Sequence, residues 1–132
     1  MSGKVSHFEV PFDDGDRARA FYREAFGWQV NEMPGMDYTL VSTGPTGDTG
    51  MPAEPGFING GMFARSGQPL TSPTFVIEVA SIDESLAKIH SLGGATVVGK
   101  EQVGEMGFSA YFRDSEGNVL GLWENARASS GA

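Results

Sequence analysis

The sequence runs through the same order of elements twice. A strand-like His7-Phe8-Glu9-Val10 precedes a short amphipathic segment, a glycine and a series of hairpin strands, and Ile77-Glu78-Val79 opens a second such series. A repeat unit that cannot bury its apolar face alone must pack against its copy. Two paired units of this kind are expected to enclose a cleft, so the residues at cleft-facing positions decide what the protein can do.

The chain has 132 residues, enough for one domain with a real core. Nineteen glycines fit many strands joined by tight turns, and the absence of Cys excludes disulfides, thiol catalysis and iron–sulfur clusters. No apolar run approaches the ~18 residues that cross a bilayer, and no basic-plus-apolar leader is present. The expectation is a cytoplasmic protein with no membrane partner. The net charge of −8 repels phosphate backbones, so no nucleic-acid partner is expected either.

In the first module, residues 4–64, alternation over Val5–Phe12 sets Phe8, Val10 and Phe12 on one face and His7, Glu9 and Pro11 on the other. Asp13, Asp14 or Asp16 caps the following helix, whose stripe is Ala18, Phe21, Tyr22, Ala25 and Phe26, and Gly27 ends it. Residues 28–33 and 36–43 read as a hairpin turning at Pro34-Gly35, and residues 57–64 as a closing strand. Residues 44–56 hold no periodicity and read as an unstructured surface loop.

A polar linker, residues 65–73, leads to the second module, residues 74–125. There Phe75, Ile77 and Val79 alternate against Thr74, Val76 and Glu78. Ser81-Ile82-Asp83-Glu84 forms a capping box, and Ile82, Leu86, Ile89 and Leu92 form the helix stripe. Residues 95–103, 108–113 and 119–124 are the remaining strands, and residues 126–132 read as a disordered tail. His90 lies off the stripe, as a surface residue. The fold class is α+β: two βαβββ modules paired into an open, eight-stranded, barrel-like cleft within one domain.

Several motifs bear on family. His7 is followed by Phe21-Tyr22 and Phe26-Gly27, Asp83 starts a helix ending at Gly93-Gly94, and the chain closes with Phe112-Arg113-Asp114-Ser115-Glu116-Gly117-Asn118. On these motifs the chain resembles the vicinal oxygen chelate superfamily of glyoxalase I, extradiol dioxygenases and bleomycin resistance proteins. HFEVP, INGGMF and GNVLGLWE look like a bacterial group of glyoxalase-related proteins.

The resemblance implies four metal-ligand positions, on the first and last strands of each module, usually His or Glu. His7 falls on the first. Its counterpart in the second module is Val76, or Thr74 in another register. Counting from the Asp-Ser-Glu-Gly turn places the last-strand position on Gly121 and not on Glu124, and the first module's equivalent on Gly60-Gly61. His7 is thus the one residue with a ligating side chain at a family position, so no bound divalent metal and no glyoxalase I chemistry is expected.

His7, Glu9 and Glu78 are then the candidate acid–base groups, if their strand faces line the cleft. Gly60 and Gly121 are expected to leave room for a ligand, with Met62 and Trp123 supplying apolar contact. The primary expectation is a glyoxalase/bleomycin-resistance-like protein that binds a small organic molecule without a catalytic metal. The alternatives are a metal-independent or weakly metal-assisted lyase or isomerase using His7, Glu9 and Glu78 as acid–base groups, and a non-catalytic dimeric interaction module. The resemblance and the exposed sheet edges point to a homodimer.

Overall fold

The strand alternation and capping signals become two βαβββ modules in the computed structural model, which describes residues 3–35, 37–48 and 50–126. The first comprises β1 (Val5–Phe12), α1 (Gly15–Phe26), β2 (Gln29–Glu32), β3 (Thr39–Ser42) and β4 (Asn59–Ala64). The second comprises β5 (Thr74–Glu78), α2 (Ile82–Ser91), β6 (Ala95–Val103), β7 (Gly107–Arg113) and β8 (Val119–Asn125). The α+β class and the repeated module are as the sequence leads one to expect. Residues 127–132, read as a tail, and Met36, read as a strand start, lie outside the described residues.

By contacts the chain forms two compact units, and their boundary differs from the expected one. His7–Pro73 is one unit; of the described residues, 3–6 join the unit that begins at Thr74. The reason is hydrogen bonding: Gly3 N donates to the Glu78 carbonyl at 2.7 Å, and Glu78 N donates to that of Lys4 at 3.0 Å.

In the His7–Pro73 unit, β1 and β4 pair in parallel with Val10 opposite Met62, while β3 runs antiparallel to β4 and to β2. Asp14 caps α1 by accepting from Arg17 N at 3.0 Å, and Gly27 closes it at φ 75°, where a side chain would be strained. Under α1 lies a core of Val30, Val41 and Met62, joined by Phe8, Val10, Ala18, Tyr22 and Trp28. Burying these side chains contributes roughly 1.5–3 kcal/mol for each fully covered large one. Arg19 fastens the helix to the sheet, donating to buried Thr39 Oγ1 at 3.1 Å and pairing with Asp16 and Glu32. The expected helix stripe is only half covered: Phe21 and Phe26 are 58% and 63% exposed. They pack edgewise and in stacks on Tyr22 and Trp28 instead of entering the core.

In the other unit, β5 pairs in parallel with β8, β8 with β7 and β7 with β6, both antiparallel. Ile82, Ala110, Phe112, Leu120 and Leu122 form the core, with Leu86 and Ile89 packed on it. Leu92, expected in the stripe, is exposed because it sits past the last helical residue. Ser81 caps α2 through Glu84 N at 3.1 Å. Glu124 adds a second acceptor, taking the Ile82 N–H at 2.8 Å. That bond turns Glu124 toward α2 and away from the face of Gly121, as alternation requires.

Candidate functional site

β1 carries two chemistries on its two faces. Phe8 and Val10 face α1, so His7 and Glu9 project from the opposite, helix-free face. Glu9 is 6% exposed, a buried carboxylate. It accepts a hydrogen bond from the Tyr38 hydroxyl at 2.8 Å, and the same hydroxyl lies 2.9 Å from His7 Nε2. Tyr38 directly precedes β3, where its carbonyl accepts from Met33 N at 2.9 Å and closes the β2–β3 hairpin. The imidazole and phenol planes lie 16° apart with centroids separated by 6.5 Å. Burial lowers the His7 pKa to about 4, so the ring is neutral at neutral pH.

The register explains why Tyr38 can stand there. Glu9 is opposite Gly61, and a Cβ built on Gly61 would fall inside the Tyr38 phenol. A glycine within a strand often marks such a close approach. The expectation that Gly60 leaves ligand space is corrected by its surroundings. It faces α1, and a Cβ there would meet the Phe8 carbonyl at 2.5 Å and the Phe8 ring at 2.6 Å. Met62 is corrected likewise: at 1% exposure it is core beneath α1, on the face opposite Glu9.

The same register corrects the last-strand position in the first module. His7 is opposite Asn59 as Val76 is opposite Gly121, so Asn59 and not the Gly60-Gly61 pair is the equivalent residue. Asn59 accepts from Thr43 N at 3.0 Å and donates to Thr46 Oγ1 at 3.1 Å. It thereby ties down the 44–56 segment, which is not the structureless loop expected. Thr46 bridges Pro52, Gly47 N donates to the Met51 carbonyl, and Ala53 N to that of Pro45.

In the other unit Glu78 pairs with Trp123, on the face shared with Gly121. Its Oε2 accepts from Asn125 Nδ2 at 3.1 Å, and Asn125 Oδ1 accepts from Trp123 Nε1 at 2.8 Å. Glu78 therefore belongs to its own string, Glu78–Asn125–Trp123, while His7 and Glu9 are joined through Tyr38. A Cβ on Gly121 would meet Val76 Cγ2 at 3.0 Å and the Tyr111 ring at 3.2 Å, so this glycine too has its space largely filled. The Asp114 turn is structural: its Oδ1 accepts from Glu116 N and Asn118 N, each at 2.8 Å. His90 is a surface residue bonded to Thr96 Oγ1.

The donor set does not fit the divalent ion that the resemblance implies. His7 Nε2 is engaged by Tyr38, Asn59 spends its amide on residues 43 and 46, and Val76 and Gly121 offer no ligating side chain. Among the described residues no three His, Asp or Glu side chains gather to hold a metal. A cavity of about 300 Å³ lies at the start of α1 between Phe12, Asp14, Arg17, Tyr22 and Arg65; none of His7, Glu9 and Tyr38 lines it.

Comparison with known proteins bears on the fold. Residues 4–44 match the family model described as bleomycin resistance protein-like N-terminal. No curated protein matches the sequence. Among solved structures, methylmalonyl-CoA epimerase from Mycobacterium tuberculosis is 16% identical with a TM-score of 0.64, covering 98% of this chain and 92% of that one. Methylmalonyl-CoA epimerase from Streptomyces coelicolor, in complex with 2-nitronate-propionyl-CoA, is 16% identical with a TM-score of 0.65, covering 96% and 99%. A glyoxalase/bleomycin resistance protein/dioxygenase superfamily member from Vibrio splendidus is 11% identical with a TM-score of 0.60, covering 95% and 99%.

Proposed function

The chain has the fold of the vicinal oxygen chelate superfamily, and from that premise we propose that it binds a small organic molecule without the catalytic divalent metal. The observation that carries this reading is the His7–Tyr38–Glu9 string on the helix-free face of β1. A carboxylate at 6% exposure costs stability even when paired, and an apolar side chain there would serve the fold at least as well. Buried, hydrogen-bonded titratable groups of this kind concentrate at functional sites.

A panel of aromatic, quinone and glycopeptide-like compounds, tested by thermal shift in the presence of a chelator, examines the proposal. At least one compound class should raise Tm in wild type and lose that effect in Tyr38→Phe. A panel in which no compound shifts Tm counts against it.

The same string favours a second reading, a lyase or isomerase in which His7 and Glu9 move protons without a metal. Its test is turnover: His7→Ala or Glu9→Gln should abolish it with the fold intact. The proposal also includes a homodimer in the cytoplasm; light scattering that returns the monomer mass would remove the dimer from it.

A further inference from the structure

We infer that Tyr38, seated over Gly61, fixes His7 as a hydrogen-bond acceptor, so that the site selects ligands presenting a hydroxyl or amide N–H to it over anions. The ligand half of this inference rests on the binding reading above. The half concerning the ring does not.

A phenol has one proton to give. Tyr38 gives it to Glu9 Oε2 at 2.8 Å, so the 2.9 Å contact with His7 must run the other way, from Nε2–H to the phenol oxygen. A neutral imidazole carries a single N–H, so Nδ1 is the acceptor nitrogen. The neutral ring follows from the pKa of about 4, and with Glu9 as a carboxylate the direction of the hydrogen bonds follows from proton counting.

Two features hold the phenol in place. The Tyr38 backbone is held by the Met33 N–H at 2.9 Å, and its ring occupies the volume that any side chain at 61 would need. The ligand chemistry follows. An acceptor nitrogen backed by a buried carboxylate repels carboxylates and phosphates and rewards a donor, and the net charge of −8 acts in the same sense.

The ring can be read directly, because the chain has two histidines and His90 is a surface residue. Imidazole-nitrogen NMR on the His90→Gln variant at neutral pH should show a protonated Nε2 and an unprotonated Nδ1. In His90→Gln with Tyr38→Phe, the two tautomers should mix. A dominant Nδ1–H form, a doubly protonated ring, or a spectrum unchanged by Tyr38→Phe would overturn the assignment of Tyr38. For the ligand half, naphthol and naphthoate share one ring system and differ in presenting a donor or an anion. Naphthol should stabilise the protein at several-fold lower concentration than naphthoate, and equal or stronger action of naphthoate overturns the selection. If neither acts while the tautomer is as stated, the binding reading fails and the role of Tyr38 stands.

Discussion

The Tyr38 hydroxyl donates to Glu9 Oε2 at 2.8 Å and so joins two residues 29 positions apart across the β1–β4 register. Removing the hydroxyl leaves a buried carboxylate without that donor. Tyr38→Phe should therefore lower the unfolding free energy by about 1–3 kcal/mol while keeping the fold. Denaturant unfolding followed by circular dichroism checks this. An unchanged midpoint would mean that the bond adds nothing to the folded state.

His7 gives stability a pH dependence of definite sign. Its folded pKa, about 4, lies below the ordinary 6.5, so the unfolded chain takes up the proton first. The neutral ring's contribution is complete above 6.5 and declines as pH falls from there toward 4, with a slope of up to about 1.4 kcal/mol per unit. Asp114, lowered by its bonds from Asn118, loses its contribution only below the ordinary carboxylate value and does not mask this window. Unfolding curves of wild type and His7→Gln, compared from neutral to mildly acidic pH, should converge on acidification. Parallel curves would contradict the burial of His7.

Three glycine substitutions should rank in order. Gly61→Ala drives a methyl into the Tyr38 phenol, so it should cost the most, about 1–3 kcal/mol, and disturb the His7 ring. Gly121→Ala meets Val76 and Tyr111 at 3.0–3.2 Å, contacts that yield by small shifts, and should cost less. Gly99→Ala meets nothing within 4 Å and should be neutral or slightly stabilising. Thermal melts of the three settle the order, and a benign Gly61→Ala would refute the seating of Tyr38.

Glu124 is a helix-capping residue. Its Oε1 takes the Ile82 N–H at 2.8 Å and lies 3.6 Å from Lys100 Nζ. Glu124→Ala should destabilise by about 1 kcal/mol through α2 without altering ligand binding. A loss of binding at unchanged stability would reassign Glu124 to the site.

The sequence discloses the modules because their signals are local: alternation in Val5–Phe12, Ser81 before Glu84, Gly27 at a left-handed turn. It misleads where coverage is tertiary. Phe21, Phe26 and Leu92 continue apolar stripes past the width that each sheet covers. The candidate site was half legible. His7 and Glu9 share a strand face by parity, but Tyr38 reaches them from a hairpin end about 30 positions away, beyond any periodicity. Its trace was Gly61, a strand-interior glycine that marks a volume filled by another side chain, whereas the glycines read as open space were Gly60 and Gly121. Asn59 escaped because the resemblance gives a position only to within a residue, and the β1–β4 register decides it.

Metal analysis tests the central claim most directly, since the site is held to work through Tyr38 and not through an ion. Protein purified without chelator should carry well under one equivalent of any divalent metal by elemental analysis. One full equivalent, retained through gel filtration and lost in His7→Ala, would contradict the account.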